Sequence, residues 1–355
     1  MTGEERTDEL LAALRRLAPG TRLREGLDQI LRARTGGLIV VGDGPEVLEL
    51  CSGGFELDVE LTPAHLYELA KMDGAIILSS DGRRIVRANV QLIPDPRVLS
   101  FETGIRHRTA ERMARQTGAL VIAISQRRNV ITVYRGDTRY VLRDPALMLA
   151  KANQALGTLE RYRSVLMQAL GHLTVLEFED LVTAGDVASV LGRAEQVRRI
   201  GREIEGYVIE LGTEGRLVRL QLDELLSGVE QEYRLVVRDY VADPAAETEA
   251  LAALHQLPPE ELTQRAAPAR CLGYATQGDE EAPLRPRGYR ILHKLPRLPA
   301  AVIENLVRRF ESLPRILAAT VEELDEVEGI GSVRARAIKD GLRRLQDQAF
   351  LERRP

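Results

Sequence analysis

Two short segments hold residues whose types and spacing suit chemistry on an anion. The first is Lys71-Met72-Asp73-Gly74-Ala75, which runs directly into the apolar stretch Ile76-Ile77-Leu78. An acid and a glycine at a helix-to-strand junction let a carboxylate project into a cleft and let the backbone approach a ligand closely. Taken alone, an Asp-Gly pair is also an ordinary turn. The second segment is Glu102-Thr103-Gly104-Ile105-Arg106-His107-Arg108-Thr109, opening a helical pattern in which Ala110, Met113 and Ala114 mark the inward face. Arg106, His107 and Arg108 therefore fall in the first turn. Cations there are unfavourable against the helix dipole. Two arginines, a histidine and uncapped backbone N–H groups at one point make a dense anion site.

The elements that must position these residues follow from periodicity. Residues 8–17 and 21–34 repeat apolar positions at three and four, through Leu10, Leu11, Leu14 and Leu17, then Leu23, Leu27, Ile30 and Leu31. After Gly36-Gly37 the pattern turns β-rich, with strands expected at 38–41, 47–50, 75–79, 85–90, 119–125, 130–134 and 139–142. Helical patterns at 63–71 and 105–117 interrupt them, so residues 1–144 read as a mixed-sheet α/β head. Residues 145–288 read as a helical spacer, charged and amphipathic to about 240. From 243 it becomes a Pro/Ala/Gly-rich connector in which 251–262 can be helical. Residues 289–355 return to compact helical patterning. The fold class is multidomain, α/β followed by all-α.

The two segments together identify a family. KMDGAIILSSDGRRIVRANVQLIPDP and ETGIRHRTAERMARQTG resemble the DGA and RHR motifs of diadenylate cyclases, specifically the DNA-integrity-scanning subfamily. The resemblance runs from about residue 10 to 144. It implies that Asp73, Gly74 and Ala75 line the reaction centre, and that Arg106, His107 and Arg108 hold an ATP triphosphate beside Thr109. Leu92 would lie by the adenine, and Ser125 would reach toward the phosphates. Where the family usually writes Thr-Arg-His-Arg-Thr, this chain has Ile105, so a contact from that position would run through the backbone.

The implied reaction condenses two ATP into cyclic di-AMP and two pyrophosphates. Charge spreads over phosphoryl oxygens in the transition state, which makes positioning and neutralisation the main tasks. Arg106 and Arg108 suit the clamp. Asp73 can bind Mg2+ or Mn2+, accept the 3′-hydroxyl proton, or do both. There is no GxxxxGK[ST] loop, and Gly42-Asp43-Gly44 reads as a hairpin turn. Two ATP must face each other, so the active unit is a homo-oligomer; the resemblance implies an octamer.

The tail carries a separate signal. Leu324 to Ile338, with its Gly329-Ile330-Gly331 turn, looks like a helix-hairpin-helix, and 295–324 resembles the degenerate first half of a pair. Ser332 is expected as the N-cap of the second helix, whose N–H groups would meet a DNA phosphate, with Arg334, Arg336 and Lys339 adding charge. Residues 285–355 hold 15 Arg/Lys against 10 Asp/Glu, while 1–284 hold 34 against 43. A basic tail on an acidic body suits a polyanion partner, here branched DNA held through its backbone. Two distant cysteines, no apolar run long enough for a membrane span and no signal-like N-terminus point to a reduced, cytoplasmic setting without zinc. The rival reading is a DNA-junction sensor whose head binds nucleotide without turnover.

Overall fold

The computed structural model describes residues 11–274 and 281–352. The expected helical residues 8–10, connector residues 275–280 and tail residues 353–355 lie outside them. Contacts divide the chain into two compact units. One is built on residues up to 154 together with 205–220, the other on 155–204 and from 221 onward.

The first unit is a mixed sheet between helices. Its strands are β1 (Gly37–Val41), β2 (Cys51–Ser52), β3 (Phe55–Glu60), β4 (Ala75–Leu78), β5 (Arg84–Leu92), β6 (Leu120–Ser125), β7 (Val130–Arg135) and β8 (Thr138–Val141). They run in the order β2-β5-β4-β1-β6-β7-β8, with β3 also on β5. Only β1 and β4 pair in parallel. Strand alternation sorts the apolar residues into two cores. Ile39, Ile76, Ile122 and Ile131 face Leu23, Leu27 and Ile30 of α1 (Arg22–Arg32) and Leu66 of α3 (Pro63–Leu69). Val40, Ile77, Val121 and Tyr134 face Ala110, Met113 and Ala114 of α4 (Ile105–Thr117). Left-handed Gly118 ends α4, and its N–H bonds the Ala114 carbonyl at 2.9 Å.

Three expectations are corrected here. Residues 47–50 are not a strand: Pro45, with its fixed φ, opens a short helix α2 (Pro45–Leu48) behind Gly44. Gly42-Asp43-Gly44 is therefore a strand-to-helix turn rather than a hairpin. Strand β3 is not among the expected strands, although FELDVE alternates apolar and acidic residues; it is largely exposed, its pairing with β5 breaks at left-handed Asp58, and its acids pair across the strands, Glu56 with Arg87 at 2.6 Å and Asp58 with Arg84 at 2.6 Å.

The second unit is helical. It holds most of α5 (Pro145–Glu179) and α6 (Ala184–Leu211), then α8 (Val229–Tyr240), which follows α7 (Arg216–Leu226). The stretch read as a connector carries two packed helices, α9 (Glu247–Gln256) and α10 (Ala266–Cys271), with Leu254, Leu262 and Ala267 buried. Five helices follow: α11 (Tyr289–His293), α12 (Ala300–Phe310), α13 (Leu313–Ala318), α14 (Val321–Asp325) and α15 (Ser332–Glu352). Their core closes over Val175 and Phe178 of α5. No helix among the described residues is long and apolar enough to cross a membrane.

A buried polar knot ties α11 to α5 and α8. Arg290, fully buried, donates through Nε to Glu177 Oε1 at 3.1 Å and through Nη2 to Thr174 Oγ1 at 2.8 Å. Tyr240 donates to the same Glu177 oxygen at 2.9 Å. The Asp239 carboxylate accepts the N–H groups of Gly288, Tyr289 and Arg290 at 2.7–2.9 Å, capping α11 from another helix. Removing one partner strands a buried charge. Arg290→Ala is expected to lower the stability of this unit by about 3–5 kcal/mol in urea unfolding, whereas Arg334→Ala, on the surface, should change it by less than ~0.5 kcal/mol.

Candidate active site and nucleic-acid interface

Strand register gathers the head's site residues at one end of the sheet. Ile39 of β1 lies opposite Ile76 of β4, so Gly36-Gly37 and Asp73-Gly74 lie at the same end, just before these pairs. Gly37 pairs with Ile124, which puts Ser125 at that end too, and Ala75 pairs with Val90, which does the same for Leu92. Ser125 Oγ accepts the Arg128 N–H at 3.2 Å, and Leu92 is buried.

Two close approaches shape this end. A Cβ on Gly74 would stand 2.4–2.5 Å from the Asn89 backbone. Asn89 sits in the left-handed region, φ 56°, where the β4–β5 register shifts in a bulge. Glycine is the residue that leaves room for it. A Cβ on Gly36 would meet Arg106 Nη1 at 1.9 Å, so the guanidinium occupies the space left by the bare backbone there. Arg106 Nη2 also stands 3.7 Å from Asp73 Oδ1, and the Asp73 side chain is fully exposed. The DGA junction and the RHR turn, 33 residues apart in Asp73 and Arg106, thus meet through one guanidinium.

The RHR turn is the uncapped start of α4. Gly104 is the N-cap and offers no side-chain bond, so the first N–H groups are left for an acceptor from elsewhere. Ile105 is 83% exposed and points away from the core. Arg108 donates to the carbonyls of Glu102 at 3.2 Å and Thr103 at 3.4 Å. Thr109 is half-buried. His107 stands edge-on to Tyr134 at 6.5 Å, and its buried Nε2 has no partner. Burial holds its pKa below the ordinary imidazole range; Glu102 opposes that shift, while Arg128, Arg106 and Arg139 add to it. An anion arriving here would supply the acceptor that the N–H groups lack.

Among the described residues no three His, Cys, Asp or Glu side chains cluster as a metal cage. Asp73, open on all sides, fits a divalent ion that takes most of its ligands from substrate and water.

Sequence reasoning missed Asn89, Gly36 and the Glu102–Tyr134–Arg139 contacts. A glycine pair before a strand and an asparagine inside one were the available signals.

In the tail, Gly329 adopts φ 84° and the buried Ile330 anchors the turn. The second helix opens one residue earlier than expected: Gly331 holds the cap position, its carbonyl accepting the Ala335 N–H at 2.9 Å, and Ser332 is the first helical residue. Arg336 is exposed, while Arg334 folds back to donate to the Gly329 carbonyl. Lys339 is turned away: its ammonium donates to the Leu317 carbonyl at 2.6 Å and to that of Ala319, closing α13. The first hairpin matches the second. Arg297, φ 61°, takes the place of Gly329, and Pro299 gives its carbonyl to the Val302 and Ile303 N–H groups. Both turns border one open groove, with Arg297, Leu298, Gly331, Ser332, Arg334 and Arg344 on its walls.

Three family models match the chain. Residues 24–139 match the DisA bacterial checkpoint controller nucleotide-binding model, 142–281 its linker region, and 312–341 the helix-hairpin-helix motif. The curated DNA integrity scanning protein DisA of Symbiobacterium thermophilum is 60% identical over 342 residues, 96% of this chain and 97% of its own. Those of Carboxydothermus hydrogenoformans and Clostridium perfringens are 56% and 54% identical, covering 96% and 98% of this chain and 98% of their own. A nucleotide-binding head, a helical linker and a helix-hairpin-helix tail are thus joined in one polypeptide, which is a diadenylate cyclase. The chain belongs to the DNA integrity scanning protein family.

The two glycines should fail differently on substitution. Gly36→Ala displaces only the end of a flexible side chain and should raise the KM for ATP about tenfold with little change in melting temperature. Gly74→Ala collides with backbone and should cost ~1–3 kcal/mol of stability as well as most of the turnover. Melting curves and steady-state kinetics on both variants check this.

Proposed function

We propose that the head condenses two ATP into cyclic di-AMP, with the adenine near Leu92 and the triphosphate on the RHR turn. The convergence of Asp73, Gly74 and Arg106 at one sheet end carries this reading. The 3′-hydroxyl oxygen of one ATP attacks the α-phosphorus of the other, the bond to pyrophosphate breaks, and the hydroxyl proton is released. A second, equivalent step closes the ring. Arg106, Arg108 and the N–H groups of Ile105 to His107 neutralise charge on the leaving pyrophosphate. Ser125 lies at the same strand end, within the site. A Mg2+ or Mn2+ ion at Asp73 would supply further positive charge to the phosphates.

Each head holds one ATP, so two must face each other with clefts opposed. Exposed apolar residues beside the RHR turn, Phe101 and Ile105 at 83% and Leu99 at 74%, support such an apposition. An octamer of such pairs is the assembly we infer.

The tail is proposed to hold DNA by its backbone, through the N–H groups at Gly331 and Ser332 with Arg336, and through the matching turn at Arg297. Several tails in one oligomer can engage the arms of a branched DNA together, which raises affinity without new contacts. Synthesis requires close alignment of two clefts, and a displacement of ~1 Å can cost on the order of 100-fold. Branched DNA lowers activity in this reading, a direction taken from the family resemblance.

Two outcomes test it. Asp73→Asn keeps the shape and removes the charge; it should abolish cyclic di-AMP synthesis while ATP still binds, and normal turnover would remove Asp73 from the mechanism. A four-way junction should inhibit wild type more than a matched linear duplex does. Arg336→Glu should blunt that inhibition and make the remaining binding less salt-dependent; inhibition identical in the variant would place the DNA contact elsewhere.

A further inference from the structure

Glu102 stands two residues before the N-cap of α4 and beside the side chains of Arg108, Arg139 and His107. A carboxylate so placed would ordinarily serve the helix N-terminus or pair with its first-turn arginines. It does neither. Its Oε1 accepts the Tyr134 hydroxyl at 2.8 Å and Arg139 Nε at 2.7 Å, and the side chain is 11% exposed.

The two donors are placed together by the sheet. Tyr134 and Arg139 are direct partners in the β7–β8 hairpin, so their side chains share the face that packs on α4. Burial works to raise the Glu102 pKa, but the hydrogen bonds from Tyr134 and Arg139, with the charges of Arg139 and His107, bring it below the usual range. The carboxylate is held as an anion, yet away from the RHR turn. It has cations within its reach: the Arg108 guanidinium bonds the main chain of Glu102 itself. The hairpin is tied to α4 a second time, by Arg115 at 3.5 Å from Asp137 in its turn.

We propose that Tyr134 and Arg139 are positioning residues that sequester the Glu102 carboxylate, keeping it off Arg106, His107 and Arg108 so that those groups stay available to the substrate's phosphates. This rests on the reading that the RHR turn receives the triphosphate. Freed from its clamp, the carboxylate becomes an internal competitor for the phosphate site. Its attraction to the arginines acts over the same short range as theirs to substrate.

The test uses the full chain and steady-state synthesis of cyclic di-AMP from ATP. The double variant Tyr134→Phe/Arg139→Gln should raise the KM for ATP about tenfold with a much smaller change in kcat. Adding Glu102→Gln to that background removes the competing charge and should return the KM to within about threefold of wild type. A merely structural role for the clamp predicts that melting temperature and kcat fall and recover together with the KM, as a stranded buried charge is made and then removed, whereas the proposal moves the KM with both nearly unchanged. Should the double variant prove unstable on melting, Tyr134→Phe with and without Glu102→Gln puts the same question with Arg139 intact. A wild-type KM in the double variant, or a raised KM that Glu102→Gln leaves unchanged, overturns the proposal. Arg106→Ala separates the two layers. If it binds ATP as wild type does, the triphosphate reading fails; if it loses affinity while the Glu102→Gln rescue is absent, the clamp alone fails.

Discussion

At the working end of the sheet, a backbone without side chains at Gly36 and Gly74 is the constraint on which the site depends. The Asn89 bulge fills the space a Cβ would need at Gly74, and the Arg106 guanidinium fills that at Gly36. The first contact sets how β5 and Leu92 lie against the DGA junction. The second brings the RHR turn to the same place from a helix on one face of the sheet. With either position filled, Asp73 and Arg106 would not stand 3.7 Å apart.

Helix α4 also shapes the loop that precedes it. Arg112 Nε donates to the Val98 carbonyl at 2.9 Å and Arg115 Nη1 to that of Leu99 at 2.7 Å. The buried Glu111 carboxylate accepts the Phe101 N–H at 3.0 Å and the Ser100 hydroxyl. One helix thus buries Ala110, Met113 and Ala114, offers its free N–H groups to a ligand, and fixes a loop bearing exposed Leu99 and Phe101. Loop and candidate ligand site thus hang on one helix, and under the proposed function a change in one would reach the other.

In the second unit the knot of Arg290, Glu177 and Asp239 plays the corresponding part. Charges of this kind are costly to bury and tolerable only when fully bonded. Here every donor finds an acceptor in a fixed place: Glu177 and Thr174 come from α5, Asp239 and Glu232 from α8. Helix α11, which leads into the first hairpin, is therefore held on the linker helices α5 and α8.

Much of the site was legible in the sequence because local signals carried it. Buried Val/Ile runs marked β1, β4, β6 and β7, and Ala110, Met113 and Ala114 with Gly118 marked α4. The DGA and RHR segments are contiguous, so their residue types could be read without a fold. What escaped depends on partners far along the chain. The clamp on Glu102 comes from a hairpin beginning near residue 130, and Lys339 is claimed by the carbonyls of Leu317 and Ala319. No spacing rule reports such pairings. The central claim is that this sheet end joins two ATP into a ring. It is tested most directly by incubating the purified chain with ATP and Mg2+ or Mn2+ and resolving the products by chromatography. The account predicts cyclic di-AMP with two pyrophosphates per molecule; ATP left intact, or converted to ADP and phosphate, would contradict it.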